Sequence, residues 1–128
     1  DTKKRDDAVQ EFTRLVRTYP ESAYITDAHV QIGEYYFDNT NAYKPLLAYQ
    51  KATRYKNSGQ YAFASYKLAW CYYNVGEYGK AIETMKGVVA FSMTANEGGD
   101  EKKRLTLQDE ALKDLVRFFA DAGEMDEA

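Results

Sequence analysis

One cysteine among 128 residues, Cys71, excludes an internal disulfide and any metal site built from cysteines. One histidine, His29, leaves no histidine pair to hold zinc. There is no apolar run near the roughly 20 residues a bilayer-spanning helix needs, and no basic-then-apolar start of a targeting segment. Neither sign of charge dominates. Lys and Arg total 17 against 20 Asp and Glu, and the charges are spread along the chain, so the dense basic face that nucleic acid demands is not expected. Proline occurs only at positions 20 and 45, which leaves long stretches free to form helix. What the chain has in excess is tyrosine: 12 residues, beside 6 Phe and one Trp. Such side chains fill helix interfaces and also give rigid contact area on binding surfaces.

Apolar spacing predicts helices and no strands. Ala8, Val9, Phe12, Leu15, Val16 and Tyr19 follow the i, i+3, i+4, i+7 rule up to Pro20. Further helices are predicted over residues 26–37, 44–56, 61–75, 78–91 and 107–122. Turn-forming Asp38 to Asn41, Asn57–Ser58–Gly59, Gly76 and Gly123 separate or end them. Pro45 falls in a first turn, where its missing N–H has no intrahelical partner. Residues 92–104 are polar and contain Gly98 and Gly99, so a long loop is expected there.

The chain also repeats itself. "NVGEYGKA", ending at Ala81, and "DAGEMDEA", ending at Ala128, share the form small–Gly–Glu–large–x–x–Ala. Ala8 and Pro45 open two further segments in the same phase. The steps from 8 to 45, 45 to 81 and 81 to 128 are 37, 36 and 47 residues, and the last carries the expected loop. A helix-pair repeat has a period of about 34.

On these residues the chain resembles the tetratricopeptide repeat, a pair of antiparallel helices A and B with small residues where they cross. The family's helix A sites fall on His29, Ile32, Gly33 and Tyr36, then on Ser65, Leu68, Ala69 and Tyr72, and finally on Leu112, Leu115, Val116 and Phe119. Helix B sites fall on Pro45, Tyr49, Ala52 and Asn57, and on Ala81, Met85, Val88 and Met93. The tryptophan usual at the first of these sites is replaced by His29, Ser65 and Leu112. Pro45 replaces the usual small alanine. The resemblance implies an all-α fold, a right-handed superhelix of stacked helix pairs, in one domain over residues 1–128. Its parts would be a helix B (1–20), two repeats (22–58 and 60–93), a loop insertion (94–106) and the start of a further repeat (107–128). Because it opens before a helix B without its helix A, and stops where another helix B would begin, an excised domain of a longer protein is expected.

The resemblance also implies a concave groove lined by helix A. Its residues would be Asp27, Val30, Glu34, Phe37 and Asp38 in one repeat, and Phe63, Tyr66, Trp70, Tyr73 and Asn74 in the next. Glu110, Lys113, Arg117, Ala120 and Asp121 would follow in the last. Four aromatics then share one stripe. The expected ligand is a peptide or protein segment anchored on them, with Lys113 and Arg117 pairing with an acidic group. Tyr66 and Trp70 stand where the family's carboxylate clamp has Lys and Asn, so chaperone tails are not expected ligands. The alternative is a spacer whose aromatics pack within its own chain. The aromatic-rich junction "RTYPESAYITDAHVQIGEYYF" is similar to tetratricopeptide proteins of the Gram-negative envelope, which implies a periplasmic or outer-membrane-associated setting, with the cytoplasm as alternative.

No catalytic constellation emerges. His29 falls on a site that packs between helices. Asp6–Asp7 and Asp126–Glu127 are accounted for by first turns and solvated termini. Gly98–Gly99–Asp100 lacks the strand before and the Lys–Ser/Thr after that a phosphate loop requires. The chain is expected to be no enzyme, and to need no cofactor or metal.

Overall fold

The structure, a computed structural model, describes residues 2–38, 43–94 and 101–127. Among these are six helices and no strand: α1 (Thr2–Thr18), α2 (Ile25–Asp38), α3 (Lys44–Ala52), α4 (Tyr61–Asn74), α5 (Tyr78–Thr94) and α6 (Glu101–Glu127). The all-α expectation holds. The chain divides into two compact units, Asp1–Ala64 and Ser65–Ala128.

In the first unit α1 packs on α2 and α2 on α3. Val9, Ile32 and Ala48, one from each helix, form a buried cluster with Phe12, Val16, Tyr35 and Tyr36 against it. The α2–α3 crossing is close because Gly33 has no side chain. A Cβ there would stand 2.7–2.9 Å from three ring carbons of Tyr49, which is fully buried. Glycine is thus the residue that lets these backbones approach. In the second unit Ala69 of α4, Ala81, Ile82, Met85 and Val88 of α5, and Ala111 and Phe118 of α6 form one core.

The junctions carry the repeat in their hydrogen bonds. Before α2, the Ser22 carbonyl accepts from Ile25 N–H and its hydroxyl oxygen from Tyr24 N–H. Before α4, Ser58 accepts from Tyr61 N–H and Gln60 N–H in the same way. Each serine satisfies donors that a helix start leaves orphaned. Between α4 and α5, Gly76 at φ +85° closes a Schellman turn. Its N–H donates to the Tyr73 carbonyl, and Glu77 N–H donates to the Tyr72 carbonyl.

Four boundaries differ from expectation. α3 stops at Ala52 rather than running to 56, because Arg54 and Tyr55 donate three residues back, to Lys51 and Ala52. The Thr53 hydroxyl meanwhile takes the Gln50 carbonyl. The expected loop over 92–104 is helical at both ends: α5 extends to Thr94 and α6 begins at Glu101. Glu, Lys and Arg are good helix formers, and Glu101 and Arg104 lie 3.6 Å apart one turn on. α6 also continues through Gly123 to Glu127, so Gly123 is not a stop. Glycine inside a helix costs about 1 kcal/mol, which its helix-forming neighbours Ala122, Glu124 and Met125 offset. The turn expected at Asn39–Asn41, Gly98–Gly99 of the loop, and Ala128 lie outside the described residues.

Candidate functional site

The spacing of Phe63, Tyr66, Trp70 and Tyr73 does place them along one face of α4, but α6 covers three of them. Tyr66 OH donates to Asp114 Oδ2 at 2.5 Å and Trp70 Nε1 donates to the same oxygen at 3.1 Å. Two turns on from Tyr66, Tyr73 OH donates to Asp121. The Tyr66 and Tyr73 bonds both join residues 48 apart, so α4 and α6 run parallel. Phe118 fills the space between: its ring stacks on Tyr73 at 4.7 Å and meets Trp70 edge-on at 5.0 Å. Arg117, expected to await an acidic ligand, lies over the Trp70 and Tyr73 rings with its Nε 3.9 Å from Asp121. The stripe is therefore an internal seam. Hydrogen bonds to a carboxylate contribute about 1.5–3 kcal/mol each and aromatic pairs about 0.5–1.5, which outweighs leaving these faces to water. Of the other expected groove residues in this unit, Asn74 and Lys113 are exposed. Phe63, also exposed, belongs to the first turn of α4.

In the first unit Val30 is a correction. It is 3% exposed and belongs to the interior, as an aliphatic side chain gains about 1.5–3 kcal/mol by leaving water. Glu34 and Phe37 are half-buried, and Asp27 is exposed.

Asp27 borders a feature that sequence reasoning missed. Between α1 and α2 runs an open groove of about 760 Å3, walled by Phe12, Leu15, Val16 and Tyr19 on one side and by Tyr24 and Ala28 on the other. Gln31, an exposed residue, lines both this groove and an adjoining hollow of about 170 Å3 that reaches Glu34, Tyr35 and Arg5. Tyr35 OH donates to Asp6 across that hollow's end, with Arg5 over its ring. The signal was present in the sequence. Val9, Phe12, Leu15, Val16 and Tyr19 form an apolar band wider than one neighbour covers: Val9, Phe12 and Val16 pack in the core, while Leu15 and Tyr19 stay exposed.

The titratable groups act as structure. Burial, reinforced by Lys51 and Arg54, holds the His29 imidazole below its usual pKa. Among the described residues no group of three or more His, Cys, Asp or Glu could hold a metal. Burial pushes the Cys71 thiol up to about 12, against a small opposing pull from Lys67, so it is a packing residue rather than a nucleophile. Burial and then the Asp114 hydrogen bond push Tyr66 up to about 12 as well. No helix among the described residues is long and apolar enough to cross a membrane.

Residues 63–90, which run from Phe63 in α4 to Ala90 in α5, match the family model of the tetratricopeptide repeat. The six described helices are in keeping with a tetratricopeptide-like helical-repeat fold. Repeats of this family generally mediate protein–protein interaction and are generally non-catalytic. No curated protein matches the chain.

Proposed function

We propose that this chain is a non-enzymatic interaction scaffold that holds a segment of a partner protein in the α1–α2 groove. One observation carries the reading: Leu15, Tyr19 and Tyr24, all large and exposed, converge on a single apolar hollow. Exposed hydrophobics scattered singly need no explanation, whereas a contiguous patch marks an interaction surface. The family match at 63–90 supports the same class of function. Asp27 and Glu34, from the groove expected on sequence, border this hollow and the one beside it. A displayed-peptide library selected against the folded chain tests the reading. Enrichment of sequences that bind wild type, but not Leu15→Glu/Tyr19→Glu, is the expected result; no enrichment rejects the scaffold.

The spacer reading is favoured by a different observation, that Tyr66, Trp70 and Tyr73 are already spent on α6. It predicts that the same selection yields nothing. The setting we propose is an envelope assembly, periplasmic or at the outer membrane, supported by the resemblance of the aromatic-rich junctions to envelope proteins. Recovery of the native protein in the cytosolic fraction of its source cells would exclude that setting.

A further inference from the structure

The outward face of α3 carries large side chains that the fold does not require, as α5 shows. The two helices bury matching positions. Pro45, Leu46, Tyr49 and Ala52 of α3 and Ala81, Ile82, Met85 and Val88 of α5 are all buried, each pair 36 residues apart. At that step the outward positions of α5 are Gly79, Glu83, Gly87 and Ala90, all exposed. A Cβ added at Gly79 or Gly87 would meet nothing within 4 Å, so helix packing asks for no side chain on this face. α3 has Tyr43, Leu47, Lys51 and Arg54 there instead. All four are exposed, Tyr43 at 65% and Leu47 at 54%. Spacing by four residues puts Tyr43, Leu47 and Lys51 on one stripe, and Arg54 and Lys56 continue it past the helix end at Ala52.

The charge on this face is not neutralised. No Asp or Glu lies between Asp38 and Glu77. Elsewhere cations are answered within a turn: Arg14 by Glu11 at 2.8 Å, Lys80 by Glu77 at 3.4 Å and Lys86 by Glu83 at 3.5 Å. Among the described residues Lys51, Arg54 and Lys56 are in no salt bridge. His29, buried on α2, feels Lys51 and Arg54 together, with no carboxylate opposing them. A helix C-terminus favours cations, which accounts for Lys51 but not for an exposed Tyr43 and Leu47 leading up to it.

We propose that the outward face of α3 is a docking surface, separate from the α1–α2 groove, for an acidic amphipathic segment of a partner protein. The segment lies as a helix antiparallel to α3. Carboxylates in its first turn meet Lys51 and Arg54, and aliphatic residues four and eight positions later meet Leu47 and Tyr43. Antiparallel docking also leaves those carboxylates at the end of the partner helix where its own dipole favours them. The patch suits a short acidic segment better than a longer polyanion. α3 has nine residues, about 14 Å of helix, and α2 packed beside it carries Asp27 and Glu34. A nucleic-acid strand or an anionic membrane would extend past the cations and meet like charge, whereas a short segment ends where they end.

The probe is a labelled synthetic peptide, Ser-Glu-Glu-Asp-Ala-Ala-Leu-Ala-Gln-Ala-Leu-Ala-Gln, titrated against the whole chain by fluorescence anisotropy. Saturable binding is expected, weakened about tenfold or more by Lys51→Glu/Arg54→Glu and by Leu47→Ser, and unchanged by Lys86→Glu on α5. The substituted side chains are exposed, so circular dichroism of each variant should match wild type. A peptide with Lys in place of its three acids should bind Lys51→Glu/Arg54→Glu and leave wild type alone. His29 is the only histidine, so its NMR titration reads the site directly. Saturating peptide should move its pKa upward, because carboxylates beside Lys51 and Arg54 favour the imidazolium. No binding, binding indifferent to either α3 variant, or an unmoved His29 pKa overturns the proposal. Loss of binding in Leu15→Glu/Tyr19→Glu also overturns it, since the peptide then sits in the α1–α2 groove. So does tighter binding of an oligothymidylate, or of vesicles of phosphatidylserine and phosphatidylcholine, that is lost in Lys51→Glu/Arg54→Glu, for the face then takes phosphate.

Discussion

A methyl group at position 33 separates two effects of opposite sign. Alanine is about 0.8–1 kcal/mol better than glycine in a helix interior. Its Cβ would, however, sit under 3 Å from the Tyr49 ring, which is fully buried and has nowhere to go. Overpacking of that kind costs about 1–3 kcal/mol. Gly33→Ala should therefore lower stability in urea titration, and pairing it with Tyr49→Leu should recover part of the loss through a non-additive coupling. His29 offers a second test at this scale. Its folded pKa is depressed by burial and by Lys51 and Arg54, so below about 6.5 the unfolded chain takes up a proton that the folded chain resists. Stability should be full above that pH and fall as the solution is acidified toward the folded pKa. His29→Gln should flatten that part of the profile, and an unchanged slope would remove His29 as its cause.

At the scale of elements, the α4–α6 seam changes what a mutation there measures. On sequence alone, Trp70→Ala with Tyr73→Ala is expected to lower partner affinity and spare melting. With Trp70 edge-on to Phe118 and hydrogen-bonded to Asp114, truncation instead opens a cavity and frees a carboxylate. Trp70→Ala alone should cost about 3 kcal/mol, the lower end for large aromatics, because the ring is only half-buried. Asp114→Ala should cost about 1–3 kcal/mol, since two donors lose one shared acceptor. The seam is also alkali-sensitive. Tyr66 is raised from 10 to about 12, so it stabilises the fold fully below pH 10 and that contribution is lost as pH rises toward 12. Tyr66→Phe should blunt the alkaline fall in melting temperature, with the remaining fall shared by Cys71, Tyr73 and Tyr35, which are raised in the same direction.

At the scale of the molecule, helix existence was legible because it depends on local spacing. Ala8, Val9, Phe12 and Val16 mark α1, and Gly33 and Gly76 mark a close crossing and a left-handed cap, all without tertiary knowledge. Coverage was not legible, because it depends on which neighbour is present. The phase assigns Tyr66, Trp70 and Tyr73 to a helix A face, but only α6 decides that the face is closed. The same logic governs α6 itself. Leu112, Val116 and Phe119 occupy the repeat positions of His29, Gly33 and Tyr36, which face α3. On α6 these positions are exposed, Val116 at 71%. Position in the repeat thus sets which face is apolar, and the packed neighbour sets whether that face contributes to stability. Leu112→Gln with Val116→Lys should accordingly change unfolding free energy by no more than about 0.5 kcal/mol, as surface substitutions do. Gly33→Lys, the register equivalent of the second change, should unfold the first unit outright, because a long charged chain would have to displace the Tyr49 ring. Comparable losses from the α6 and α2 substitutions would mean that the α6 face is packed after all, and that repeat position alone predicts burial.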